Sequence, residues 1–238
     1  MATFVLVHGT GHGGWCWQKV APLLRTVGCE VYAPTLSGVG DRFHTASPGI
    51  NLTTHTNDIA NFLFYEDLRD VVLVGHSYGG TVITAVAATV PERLGMPIYL
   101  DAYVPEAGES QFDLWPPDMR AEVESEGAAG RGFRRPPTPA LMGITDPALA
   151  EWARARITPH PLATYLEPVP PGDERSAALP RAYIRCTAGP ITSLFEPSEA
   201  KARARGWQVR YIDAGHDAML IVPREVADTL LELAGFAA

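Results

Sequence analysis

Residues 75–79 read Gly-His-Ser-Tyr-Gly. A serine between glycines two residues away on each side is chemically suggestive when a strand precedes it and a helix follows. Both conditions are met. Val71 to Val74 (VVLV) is a short apolar run suited to a buried parallel strand, and Val82, Ile83, Val86, Ala87 and Val90 then recur on one helical face up to Pro91. On such a turn Ser77 projects its hydroxyl above the sheet. The glycines leave room for the tight backbone, and the N–H of Tyr78 opens at the positive end of the next helix. Ser77 is therefore the candidate nucleophile.

A serine hydroxyl needs a base, and in proteins that base is most often a histidine. Seven histidines are available. His8 and His12 lie by a glycine-rich loop, Gly9 to Gly14, after the first strand. His76 lies inside the serine turn and is expected to point away from the nucleophile. His44, His55 and His160 fall in loop, helix or insertion. His216, in Asp213-Ala214-Gly215-His216-Asp217, follows a late strand and precedes the last helix, which is where a base belongs in the order serine then histidine. The first glycine-rich loop is placed to supply a second oxyanion donor. By position the pair of donors is the backbone N–H of Thr10 and that of Tyr78.

These residues need a scaffold. Strand-like runs at 3–8, 30–33, 71–74, 97–100, 182–187 and 208–212 alternate with helical spacing at 17–27, 52–65, 82–90 and 223–233. Such alternation predicts an α/β fold with a mostly parallel sheet covered by helices on both faces. The stretch 104–180 breaks the alternation and holds 13 of the 21 prolines. Helical patches are expected near 117–126 and 147–157. The expected organisation is one domain, with a core from 1–103 and 181–238 and a small helical cap from 104–180 over the site. The cap aromatics Trp115 and Trp152, with Trp15 and Leu36 from the core loops, are the expected substrate contacts of an apolar acyl or aryl pocket.

Composition narrows the partners. The net charge is −8, the lysines number two, and the longest basic cluster is Arg131 with Arg134 and Arg135, so a phosphate-backbone partner is not expected. No apolar run reaches the ~18 residues of a membrane span, and no secretory leader pattern opens the chain, which points to a cytoplasmic protein. Cys16, Cys29 and Cys186 are odd in number and have no ligand spacing, so buried reduced thiols are expected. No His/Asp/Glu group has metal spacing along the chain, and no cofactor is called for. Monomer and homodimer both remain open.

The segments FVLVHGTGHGGWCW, APLL, VVLVGHSYGG, PIYLDAYVP, YIRCT and GHDAML resemble the α/β-hydrolase superfamily. The resemblance is to the branch of plant methylesterases, hydroxynitrile lyases and their bacterial esterase relatives, and it runs from residue 4 to about residue 230. It implies that the acid partner of His216 follows the YIRCT segment, yet no carboxylate stands there. Glu196 is nine residues beyond Thr187. Some superfamily members instead use a carboxylate at the end of the strand after the serine helix. Here that residue is Asp101, which is favoured over Glu196, Asp213 and Asp217. Lyases of the branch carry a threonine after the first-strand histidine and a lysine after the late one. This chain has Gly9 and Asp217. The resemblance therefore implies hydrolysis of a carboxylic ester or lactone through an acyl-enzyme, with a small-molecule substrate. Two rivals are a cofactor-free tailoring hydrolase or cyclase, and a slow ligand-binding protein on the same fold.

Overall fold

The computed structural model describes residues 2–236. Residue 1 and residues 237 and 238, the outer limits of the expected core, lie outside the described residues. In chain order the elements are β1 (Thr3–Val7), α1 (Val20–Thr26), β2 (Glu30–Tyr32), α2 (Leu52–Tyr65), β3 (Val71–His76), α3 (Gly79–Thr89) and β4 (Leu94–Leu100). The 104–180 stretch holds α4 (Pro117–Ala128), β5 (Phe133–Arg134), α5 (Pro147–Arg154), β6 (His160–Pro161), α6 (Ala163–Leu166) and α7 (Glu174–Ala178). The chain ends with β7 (Ala182–Cys186), α8 (Glu196–Ala204), β8 (Gln208–Ile212), α9 (Ala218–Ile221) and α10 (Pro223–Leu233).

Six strands pair in the order β2-β1-β3-β4-β7-β8, all parallel. The inner strands β1, β3, β4 and β7 are mostly buried and largely apolar, so their alternation divides the side chains between two cores, while the edge strands β2 and β8 carry exposed polar residues. Val5, Val7, Leu73, Tyr99 and Tyr183 join the core under α2 and α3. Phe4, Leu6, Val74, Ile98 and Ile184 join the one under α1, α9 and α10. From β1 the chain steps to β2 on one side and then returns to β3 on the other. Between diverging connections of this kind the strand ends leave a crevice, the usual ligand position of parallel sheets. The loops after β1 and β3 carry Thr10 and Ser77, so the expected site lies at that crevice.

The structure refines the element boundaries. The first helix is shorter than expected, because Gly14–Trp17 forms a separate 3-10 turn ahead of α1. Helix α8 has no counterpart in the sequence reading, since its residues are polar and among them Ser198 and Ala202 alone are buried. The 104–180 stretch leaves the sheet after β4 and returns in β7, its neighbour in the sheet. Its strands β5 and β6 form a two-residue antiparallel pair, and α4 and α5 occupy the two patches where helix was expected. The three cysteines are buried and free. Among the described residues no helix is long and apolar enough to cross a membrane.

Candidate active site

Ser77 sits in the turn between β3 and α3 with φ +55°, left-handed backbone that a non-glycine residue adopts only under constraint. The constraint is visible on both sides. The Ser77 N–H donates to the Leu100 carbonyl at 3.3 Å, and the Ser77 carbonyl accepts from Tyr103 N–H at 3.2 Å. The neighbouring glycines allow the close approach. A Cβ at Gly75 would lie 2.5 Å from the Gly79 carbonyl oxygen, and one at Gly79 would lie 2.7 Å from the Val7 carbonyl oxygen.

His216 reaches the same cavity from the loop between β8 and α9. Its Nδ1 lies 2.6 Å from Asp101 Oδ2. A carboxylate can only accept, so Nδ1 carries the proton and Nε2 is left as a base. Asp101 directly follows β4 with φ +42° and is 1% exposed. Its second oxygen accepts from Arg185 Nη1 at 2.7 Å and from Cys186 N–H at 3.1 Å. Arg185 is itself buried in β7 and also donates to the carbonyls of Cys186 and Thr192. Phe195 stacks flat on His216 with centroids 4.6 Å apart.

The other carboxylates weighed for His216 lie elsewhere. Glu196 and Asp213 are exposed. Asp213 accepts from Thr187 at 3.3 Å. Asp217 is fully buried, but its Oδ2 meets His12 Nε2 at 3.0 Å rather than His216. His76 departs from expectation too. It lines the cavity beside Ser77, because β3 extends as far as this residue and its Nε2 is held by the His216 carbonyl at 3.0 Å. Ligand atoms of His76, His216 and Asp217 come within 4.8 Å of one another, a grouping invisible along the chain. Each of the three is already tied to another group: His216 to Asp101, Asp217 to His12, and His76 to the His216 carbonyl.

The loop after β1 lines the same cavity through Thr10 and His12. Neither the Thr10 nor the Tyr78 N–H has a protein acceptor among the described residues. Tyr78 is anchored by its hydroxyl, which donates to His55 Nδ1 at 2.8 Å, while His55 Nε2 donates to the Ser37 carbonyl at 2.9 Å. Burial holds His55 neutral, with its pKa lowered to about 4. Gly9 is packed tightly, since a Cβ there would lie 2.8 Å from Ser77 Cβ. A threonine at that position, as in the lyases, would press on the serine itself.

The cavity has a volume of about 440 Å³. Thr10, Ser77 and His216 form its floor, and Met119, Pro136, Pro137, Leu141 and Met142 from the 104–180 stretch form its apolar wall. Arg134 and Glu122 add an ion pair at 3.3 Å on the same wall.

A model of the alpha/beta hydrolase family matches residues 4–229. The chain belongs to the alpha/beta hydrolase family. A carbendazim hydrolyzing esterase of Nocardioides sp. (strain SG-4G) is 38% identical over 249 residues, spanning 98% of this chain and 100% of that one. Methylesterase 18 of Arabidopsis thaliana is 27% identical over 258 residues, spanning 97% of this chain and 96% of that one. Among solved structures, an extracellular alpha/beta-hydrolase from a Paenibacillus species superposes with a TM-score of 0.85 at 24% identity, covering 98% of this chain and 99% of that one. That likeness bears on the fold, which is the alpha/beta hydrolase fold expected from the sequence.

Within this hydrolase the four expected substrate contacts are off the cavity wall. Leu36 is fully buried in the core beneath α2 and α3. Trp15 stacks on His12 at 5.1 Å and meets Trp152 edge-on at 5.3 Å, outside the cavity lining. Trp115 is buried behind the wall against Tyr165, with centroids 4.8 Å apart, and the Arg134 guanidinium lies over its ring. For Leu36 and Trp115 the physical reason is burial, whereas Trp15 and Trp152 are half-buried and pack on each other. Large aromatic and aliphatic side chains gain most from full burial, and the wall facing substrate is left to methionine, proline and mixed residues. Two contacts are absent from the sequence reading: Arg185 with Asp101, and His12 with Asp217. A charged residue inside the apolar strand AYIRC was the one legible signal, because a buried arginine requires a buried carboxylate.

Proposed function

We propose that the protein is a serine esterase that cleaves a small, largely apolar carboxylic ester or lactone through an acyl-enzyme. The enzyme is a carboxylic ester hydrolase, in keeping with relatives named esterase and methylesterase. Ser77 is the nucleophile, His216 the general base and then acid, and Asp101 the carboxylate that fixes the imidazole tautomer and supports its charge. The hydroxyl of Ser77 attacks the ester carbonyl as His216 Nε2 takes its proton. The N–H groups of Thr10 and Tyr78 hold the oxyanion. His216 gives the proton to the departing alkoxide, which leaves as the alcohol. Water, deprotonated by His216, then attacks the acyl-enzyme and releases the acid and Ser77. The 104–180 stretch acts as the cap that shapes the acyl pocket, and the relatives named methylesterases favour a methyl ester within the class.

The observation that carries this reading is the 2.6 Å contact between His216 Nδ1 and Asp101 Oδ2, made at the wall of a cavity that Ser77 also lines. It leaves one ring nitrogen free as a base and supplies the acid from the end of β4. The test is hydrolysis of p-nitrophenyl acetate and butyrate by four proteins. Ser77→Ala abolishes turnover. Asp101→Asn lowers kcat by about a thousandfold or more, because the imidazole is no longer held in the working tautomer. Glu196→Gln stays within about twofold of wild type, as expected of an exposed carboxylate that makes no hydrogen bond to His216. Wild-type turnover in Asp101→Asn sinks the assignment. Tight ligand binding without turnover would favour the receptor rival, and turnover confined to a cyclic or β-dicarbonyl substrate would favour the tailoring enzyme.

A further inference from the structure

Three histidines grip the loop that carries Thr10, and their hydrogen-bond partners dictate their protons. His8 Nε2 accepts from Leu36 N–H at 3.1 Å, so Nδ1 holds the proton and donates to the Gly9 carbonyl at 2.9 Å. His160 Nδ1 accepts from Gly11 N–H at 3.1 Å, so its proton is on Nε2. Both rings are therefore neutral. His12 differs. Its Nδ1 lies 2.8 Å from the Thr10 carbonyl and its Nε2 lies 3.0 Å from Asp217 Oδ2. A carbonyl and a carboxylate can only accept, so both nitrogens must donate and the ring is an imidazolium. The two peptide units flanking the Thr10 α-carbon are thus both fixed by imidazoles, and one of those imidazoles is charged.

We propose that His12, as an imidazolium paired with Asp217, is a positioning residue for the oxyanion loop. This rests on Thr10 N–H being an oxyanion donor, as set out above. The pair bridges two catalytic loops, for Asp217 directly follows His216 and His12 follows Thr10 by two residues. Both side chains are almost wholly buried, at 1% and 0% exposure. The charges are ordered, with the positive end against the Thr10 carbonyl and the carboxylate behind it. His12 lines the same cavity as Ser77 and Thr10, and a positive charge fixed beside a site where negative charge develops stabilises the transition state more than the ground state. The electrostatics agree. Burial opposes charge on His12, yet the Asp217 carboxylate outweighs it and raises the His12 pKa. Burial would likewise raise the Asp217 carboxyl, but His12 holds it below the ordinary range. His8, His76 and His160 are the other titratable groups acting on or acted on by this ring, and burial keeps all three neutral. Trp15 covers its face.

The isolating variant is Asp217→Asn. It is isosteric, and its amide can donate to Nε2 while Nδ1–H stays on the Thr10 carbonyl, so the contacts survive and the charge goes. In ¹⁵N-histidine-labelled protein at pH 7.5, with signals assigned by their loss in His12→Gln, wild-type His12 shows two ring N–H groups. In Asp217→Asn one nitrogen becomes unprotonated. With p-nitrophenyl acetate, Asp217→Asn lowers kcat about tenfold with KM within about twofold, less than loss of a whole oxyanion donor. The double variant His12→Gln with Asp217→Asn is no worse than His12→Gln alone, since Asp217 acts through His12. A neutral wild-type ring overturns the proposal. So does a kcat within twofold of wild type in Asp217→Asn, a change confined to KM, or additive losses in the double variant. Turnover that survives Ser77→Ala overturns the acyl-enzyme reading and the role of His12 with it, whereas the ring signals report on His12 without substrate.

Discussion

Asp101 has two obligations within a nearly dry pocket. One oxygen accepts from His216 and the other from Arg185 and a backbone amide. Arg185 donates to the carboxylate in a place closed to solvent, so its removal leaves a buried acceptor without its charged partner. Replacing Arg185 by methionine keeps the apolar stem and removes the guanidinium. The expected cost is about 3 kcal/mol of stability, read as a lowered urea midpoint, together with a fall in kcat. An unchanged midpoint would show that Asp101 does not depend on Arg185. At Gly9 even one methyl group meets Ser77 Cβ at 2.8 Å. Gly9→Ala is expected to lower kcat at least tenfold while the far-ultraviolet circular dichroism is kept, because strain placed beside the nucleophile misaligns it. Single residues were legible to the degree that their context is local. Ser77 and His216 announce themselves through the strand, glycines and helix beside them. The bonds from Asp101 to Arg185 and from His12 to Asp217 join residues 84 and 205 positions apart, and no local pattern connects them.

The elements around the site divide into those with a hydrophobic period and those without one. The strands and the helices α2, α3 and α10 were read closely because burial on one or both faces imposes that period. Helix α8 is mostly exposed, and the short pieces between 104 and 180 are broken by proline, so periodicity had little to report. Residue type also misled there. Tryptophans looked like substrate contacts, yet Trp115 braces the wall from behind. The cavity wall is instead built by α4 and the Pro136–Met142 segment. If this stretch selects the acyl group, enlarging a wall residue narrows the choice. Met119→Trp is expected to leave p-nitrophenyl acetate turnover within about threefold and to lower kcat/KM for p-nitrophenyl octanoate at least tenfold. Equal changes for both esters would place Met119 off the acyl path.

At the scale of the whole molecule, the buried histidines set the response to acid. Burial lowers the pKa of His8 to about 3 and of His55 to about 4, and it lowers His76 and His160 as well. In the unfolded chain each ring takes up a proton below about pH 6.5, while in the folded protein it does not. Between those values the unfolded state binds more protons, so stability falls as pH falls, by about 1.4 kcal/mol per pH unit for each ring. His12 acts in the opposite sense and in another window. Its raised pKa stabilises the fold fully below about pH 6.5, and that contribution fades as pH rises through the folded value. The four rings act in the same direction, so acid weakens a marginally stable fold below about pH 6.5. Urea midpoints at pH 7.5, 6.5, 5.5 and 4.5 are expected to fall steeply below about 6.5, and a flat profile to pH 4.5 would show that these rings are not held neutral. The account as a whole turns on a covalent intermediate at Ser77. Its most direct test is to mix the enzyme with p-nitrophenyl acetate, quench in acid within milliseconds, and locate any acetyl group by peptide mass spectrometry. The account predicts a stoichiometric burst of p-nitrophenol with the acetyl group on Ser77, whereas turnover with no burst and an unmodified Ser77, or an acetyl group on another residue, would contradict it.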